Sequence, residues 1–280
     1  MKNAMQLKAV MKKIAKAKNI SVQLVLQNYM LERFLERVSV SDYQDNFIIK
    51  GGFLIASMVG LGSRTTMDMD ATIKRYPVNK ETIMRMMEDI IKTDLNDGVT
   101  FTLISIDEIR GSDEYTGYRV SLSANYPPMA VPLKLDITAG DRITPREIEY
   151  EYKLMIEDRS IQVLAYNMAT ILSEKLETII SRGNQNTRPR DFYDIYILTK
   201  LHVENIDLET LAFALDATTK KRGSAAVVKQ YREIMEIVRN CEIMNRQWSN
   251  YRKDFDYAAG IEFPETCDMV VRVMENLPEI

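Results

Sequence analysis

Residue periodicity changes once along this chain, near residue 158, and that change constrains the fold more than any other feature. Before it, alternating apolar and polar side chains recur between helical stretches; after it, apolar residues return only at three- and four-residue steps. From Phe47 a short apolar entry leads to the pair Gly51-Gly52, the helical run FLIASMVG, the polar turn LGSRTT and the alternating segment MDMDATI. Asn79–Leu95 has the pattern of an amphipathic helix. Val99–Ile106 and Tyr118–Ala124 have that of strands, joined by a polar connection over Asp107–Gly117, and VPLKLDIT supplies another strand before Gly140. A last strand or extended arm is expected around Glu149–Ile156, and beyond it helices over Met168–Ser181, Asp191–Leu201, Leu208–Ala217, Ala226–Asn240 and Pro264–Asn276. The expected class is α+β: a mixed sheet with flanking helices in a domain of residues 1–158, then an all-helical domain of residues 159–280.

Bulk properties exclude several classes. With 46% hydrophobic and 28% charged residues in 280, a sizeable core is expected. The net charge of −3 supplies no global basic field, so a nucleic acid would need a local patch. Cys241 and Cys267 lie far apart and lack the neighbours of a zinc site. No run approaches the ~18 apolar residues of a membrane span, and the lysine-studded N-terminal stretch lacks the pattern of a secretory signal. A cytoplasmic protein without membrane partners is the expectation. Met1–Val38 should form two helices broken near Asn19–Ser21, with Ser21 as N-cap. The basic first helix suits either a place on its own domain or a membrane surface or calmodulin-like groove.

Residues two apart in a strand point the same way, so Asp68 and Asp70 in TMDMDAT project from one face. Solvated acids on a half-exposed strand show the same pattern. Their surroundings favour more: Gly51-Gly52 opens a helix whose free N–H groups suit a triphosphate, and KLDIT sets Asp136 between Leu135 and Ile137, where an uncompensated carboxylate is costly. Three carboxylates on adjacent strands form a hard-oxygen set suited to Mg²⁺. Two such ions serve nucleotidyl transfer, with Asp68 and Asp70 bridging both and Asp136 binding the ion nearer the acceptor hydroxyl. A glycine pair, a helix, Arg64-x-Thr66-x-Asp68-x-Asp70 and a later strand with a central Asp together resemble the polymerase-beta-like nucleotidyltransferase superfamily, although Phe53 stands where that superfamily has serine.

A second constellation, ATILSEKLETIISRGNQNTRPRDFYDIYIL, sets Glu174 and Lys175 on one helix and Arg188, Arg190, Asp191 and Asp194 at the start of another. Asp191 and Asp194 share a helical face. A well-capped surface helix has the same composition. Taken with the first motif, the pattern over Ile48–Leu198 resembles the AbiEii/AbiGii-type toxin nucleotidyltransferases, with Arg190 where lysine is common. The resemblance implies catalytic roles for Asp68, Asp70, Asp136, Lys175, Asp191 and Asp194. It also implies nucleotide contacts from Gly51, Gly52, Arg64, Thr66 and Lys175, Arg64 and Thr66 bracing the strand or touching phosphate. By the same resemblance the helical domain contributes to the cleft. The implied biology is a type IV toxin–antitoxin effector that consumes a nucleoside triphosphate, modifies an RNA such as the 3′ end of tRNA, arrests growth, and is paired with a winged-helix antitoxin. Lys220-Lys221-Arg222 and the basic residues around Trp248 and Tyr251 suit either an RNA backbone with a stacked base or solvated helix ends. Two rivals remain open: phosphoryl transfer to protein or RNA, which needs the same metal and triphosphate, and a non-catalytic nucleotide- or partner-binding module. His202, the one histidine, has no serine or cysteine partner in the pattern, which argues against histidine-based nucleophilic catalysis.

Overall fold

A computed structural model describes residues 3–110 and 116–278, which divide into two compact units. The first takes in the chain through Asp141 together with Ile148–Ala165; the second takes in Arg142–Glu147 and the chain from Tyr166 onward.

In the first unit, helices α1 (Ala4–Lys18) and α2 (Val22–Ser39) precede β1 (Phe47–Lys50), α3 (Gly51–Val59), β2 (Asp68–Ile73) and α4 (Lys80–Lys92). Then come β3 (Thr100–Arg110), β4 (Thr116–Tyr126), β5 (Met129–Ala139), β6 (Ile148–Lys153) and β7 (Ser160–Ala165). These strands form one sheet in the order β3-β4-β5-β2-β1-β7-β6. The pairs β2/β5 and β1/β7 are parallel and the other neighbours antiparallel, so the sheet is mixed. The boundary expected after residue 158 falls one strand early, because β7 pairs with β6 and β1 and stays with the sheet. Strands β3 and β4 also run further than their apolar patterns indicated, to Arg110 and from Thr116. The rest of the expected Asp107–Gly117 connection lies outside the described residues.

Alternation gives the sheet two unlike faces. Along β5, Val131, Leu133, Leu135 and Ile137 are buried, whereas Lys134 is exposed and Asp136 and Thr138 are half-buried. Helix α2 packs across β5 and β7, and α4 lies on β3. Phe34 of α2 meets the rings of Phe47 and Phe101 edge-on at 6.2 and 5.9 Å. Ser21 caps α2 by accepting the Leu24 N–H at 3.1 Å, as its position between the two helices predicted. Helix α1 buries Leu7, Met11 and Ala15 and packs on α2, so of its two expected places it takes the one on its own domain.

Buried ions tie α2 to the rest of this unit. Arg33 pairs with Glu32 at 2.8 Å, Glu36 at 2.9 Å and Glu157 at 2.8 Å. Arg37 forks onto Asp97 at 2.9 and 3.0 Å and donates to the Val99 carbonyl at 2.6 Å. The second oxygen of Glu32 accepts the Met155 N–H at 2.6 Å. One turn and a half of helix thereby clamps the start of β3 and the loop between β6 and β7.

The second unit is helical: α5 (Met168–Arg182), α6 (Pro189–His202), α7 (Leu208–Arg222), α8 (Ala225–Val228), α9 (Tyr231–Arg239), α10 (Glu242–Asp254) and α11 (Phe263–Glu275). The expected helix over Ala226–Asn240 is broken in two, where the Gln230 N–H turns back to the Val227 carbonyl at 2.9 Å. Helix α10 was not anticipated, because its charged residues hide a narrow apolar stripe of Met244, Trp248 and Tyr251 at helical spacing. Of the two readings left open for this segment, that stripe removes base stacking by Trp248 and Tyr251. Both are buried, at 2% and 4% exposure, in a cluster with Tyr193, Phe263 and Tyr257, and the indole N–H donates to the Ile261 carbonyl at 2.9 Å. In the other basic cluster, Lys220 bonds Asp216 at 2.7 Å and Arg222 pairs with Glu177, so part of its charge is neutralised internally.

Candidate active site

The acids of the first constellation lie on the polar face of the sheet, opposite the buried apolar side chains of β5. Asp68 and Asp70 are two apart on β2, and the parallel register sets Asp70 opposite Asp136 and Asp68 opposite Lys134. The same row continues to Lys50 on β1, to Arg119 on β4 and to Asp107 on β3. Five ionisable side chains thus cross five strands at one level.

Asp70 sits at the centre of this row, against the start of α3. Gly51 has φ +65°, in the left-handed region, and a Cβ there would lie 2.1 Å from Asp70 Oδ2. At Gly52 a Cβ would meet Thr66 Oγ1 at 3.1 Å and Arg64 Nη2 at 3.3 Å. The glycine pair therefore allows the acid on one side and the Arg64–Thr66 turn on the other to close against backbone. The Gly52 N–H bonds the Asp70 carboxylate, so one of the free amides expected for phosphate already holds an acid. Burial pushes the Asp70 carboxyl up. Lys50 and the Gly52 N–H oppose that shift, while Asp136 and Asp68 add to it. Gly51→Ala is expected to lower stability by roughly 1–3 kcal/mol, from left-handed strain and displacement of Asp70, and Gly52→Ala by less. Urea unfolding of both variants tests this, and an unchanged Gly51→Ala would refute the close packing.

Several partners of the row escaped the sequence reading. Arg119 forks onto Asp136, Nε to Oδ1 at 2.8 Å and Nη2 to Oδ2 at 2.7 Å. Lys50 donates to Thr138 Oγ1 at 2.8 Å and pairs with Asp141. From α2, Gln27 donates to the Met67 carbonyl and Asn28 to the Thr66 carbonyl, each at 2.8 Å, which fixes the turn that feeds Asp68. Arg64 is 4% exposed and donates to the Thr65 carbonyl, and Thr66 donates to the Asp68 carbonyl at 3.1 Å. Both thus stand where a brace would.

The second constellation comes together within the helical unit. Lys175 of α5 reaches Asp191 and Asp194 of α6, both at 2.8 Å, and its side chain is only 15% exposed. Burial works to lower the ammonium's proton affinity, but the two carboxylates raise it above the ordinary lysine value. Pro189 starts α6, where its missing N–H has no helical partner to lose. Arg190 lies over the Phe255 ring at 5.3 Å. A phosphate contact from Lys175 would require it to exchange an aspartate.

The donor set fits a hard divalent cation in kind: Asp68, Asp70 and Asp136 share a face, and the buried Asp70, beside two like charges, is a group that a cation relieves. Among the described residues no three His, Cys, Asp or Glu side chains already converge as a metal cage, and Asp136 is held by Arg119.

Paired acids lie on one strand, a third acid on its parallel neighbour and a glycine-opened helix against the middle one. The fold is similar to that of a Helicobacter pylori protein described as a nucleotidyltransferase, with TM-score 0.50, 17% identity and coverage of 92% of this chain and 97% of that one. JHP933 from Helicobacter pylori matches at TM-score 0.49 and 18% identity over 92% of this chain and 94% of its own. No curated protein matches the chain by sequence. The chain belongs to the AbiEii nucleotidyl transferase toxin family of type IV toxin–antitoxin systems, whose model matches residues 33–268. That family implies a nucleoside triphosphate substrate and an antitoxin partner. No helix among the described residues is long and apolar enough to cross a membrane.

Proposed function

We propose that this protein is a Mg²⁺-dependent nucleotidyltransferase. In this reading it moves a nucleoside monophosphate from a triphosphate to the 3′ end of an RNA, with tRNA as the acceptor class, and releases pyrophosphate. The observation that carries the reading is the row of Asp68, Asp70 and Asp136 on one sheet face, with Asp70 packed against Gly51. Asp68 and Asp70 would hold both ions and Asp136 the ion nearer the acceptor. When bound, Mg²⁺ would neutralise the triphosphate and lower the proton affinity of the acceptor hydroxyl. The acceptor oxygen forms its bond to the α-phosphorus as the bond to pyrophosphate breaks, and a carboxylate of the row takes the hydroxyl proton. Arg64, Thr66, Gln27 and Asn28 hold the turn before Asp68, which keeps the acids in place. In the helical unit, Lys175 with Asp191 and Asp194 is an ionic bracket between α5 and α6.

As a family toxin, the protein is proposed to act in the cytoplasm, to arrest growth when unopposed, as in abortive infection, and to be countered by a winged-helix antitoxin. The direct test is incubation of the full chain with total cellular RNA, Mg²⁺ and each α-labelled nucleoside triphosphate in turn. Label on RNA that requires Mg²⁺ is the expected result. Label carried over only from the γ-phosphate would replace nucleotidyl by phosphoryl transfer, and no transfer to RNA would overturn the acceptor assignment.

A further inference from the structure

Asp136 enters the row with both oxygens already engaged. Arg119 approaches it as a fork, with donor distances of 2.8 and 2.7 Å, from the adjacent antiparallel strand β4, where the two residues are register partners. Such a pair is among the stronger ones available to a carboxylate, because two parallel bonds share one planar cation. It is also reversible in place: the Arg119 side chain is 42% exposed, against 20% for Asp136. The other register partner of Arg119 is exposed Asp107 on β3, which accepts the Ser105 hydroxyl at 2.6 Å. Arg119 therefore has an acid on each side at its own level, Asp136 next to Asp70 and Asp107 at the far end of the row.

From this geometry we infer that Arg119 is a built-in counter-ion of the acid row that competes with divalent metal for Asp136. A cation bound by Asp136 must remove the guanidinium from at least one oxygen, or else sit within a few ångströms of a fixed positive charge, and either weakens its binding. Arg119 then has Asp107 to receive it. The arrangement keeps three neighbouring carboxylates partly neutralised and raises the metal concentration at which the third of them is recruited. Lys50, the cation at the other end of the row, is bonded to Thr138 and Asp141 and lies beside Asp70 rather than Asp136. The competing role thus falls to Arg119.

The inference rests on the acid row being the metal site, and the experiment separates the two ideas. Mn²⁺ binding to the full chain, without nucleotide or RNA, is measured by titration calorimetry and by the electron paramagnetic resonance of free Mn²⁺. Arg119→Gln should bind Mn²⁺ about tenfold more tightly than the parent, the effect of removing one unit charge beside a dication under solvent screening. Arg119→Lys, which keeps the charge but cannot fork, should fall between them and guards against a folding defect in the first variant. In an Asp136→Asn background the gain from Arg119→Gln should shrink to within about twofold, because the two residues act through each other. Equal or weaker Mn²⁺ binding by folded Arg119→Gln, with measurable binding by the parent, would overturn the competition and leave the metal reading standing. Absence of binding in parent and variants alike would overturn both.

Discussion

Asp70→Asn is expected to reduce nucleotidyl transfer by at least about a thousandfold, the scale of several kcal/mol of lost charge stabilisation, while the protein melts at the same temperature or higher. The two halves of this expectation share one cause. Burial and the neighbouring Asp136 and Asp68 push the Asp70 carboxyl up, so its charged form is disfavoured in the fold, and only Lys50 and the Gly52 N–H counter the effect. The amide of asparagine keeps an oxygen for the Gly52 N–H and has no charge to repel the other acids. A site that is costly to the fold and indispensable to the reaction is the usual form of a stability–activity conflict. Transfer of α-label measured beside a thermal melt in metal-free buffer checks both halves. A folded variant that retains transfer would remove Asp70 from the site, and one that melts well below the parent would show that its charge is structural.

How much of this was legible beforehand depends on the range of the interaction. The facing of Asp68 and Asp70, the glycine-opened helix and the cap at Ser21 are set by residues a few positions apart, and their periodicity states them directly. The parallel neighbour relation of β2 and β5 was assumed from texture, because strand order is decided by packing over long separations, and here it sets Asp136 beside Asp70. Arg119 carried a weak signal, a lone cation in an alternating strand, but nothing local names its partner across β5. Gln27 and Asn28 had none, since a polar pair on an amphipathic helix ordinarily faces water and here both reach the turn before Asp68 from about 40 residues away. Trp248 and Tyr251 left two readings open for the opposite reason. Basic neighbours allowed α10 to be either a grip on nucleic acid or a solvated helix end, whereas the spacing of its three apolar residues marks a helix whose narrow stripe is core. Composition identifies what a segment carries, and spacing decides which side of it is buried.

The buried ions of α2 yield the largest expected change in stability. Arg33→Ala should lower the unfolding free energy by about 3–5 kcal/mol, because it strands the buried carboxylate of Glu32 without its cation and leaves Glu36 with Arg159 alone. That is a large share of the roughly 5–15 kcal/mol by which domains are ordinarily stable. The loss should also depend on pH. Burial pushes the Glu32 carboxyl from its ordinary 4.5 up to about 7, with Arg33 and the Met155 N–H holding it down. An acid raised in the fold contributes stability that is fully present below its unfolded value near 4.5 and is lost as pH rises through about 7. Without Arg33 the carboxyl rises further, so the variant pays for an unpaired charge at pH 8 and is relieved by protonation in mild acid. Urea unfolding near pH 5.5 and pH 8 should therefore give a smaller deficit at the lower pH. A deficit under about 1 kcal/mol, or one independent of pH, would mean that water rather than Arg33 satisfies these acids, and that the clamp from α2 onto the sheet is held by its apolar contacts alone.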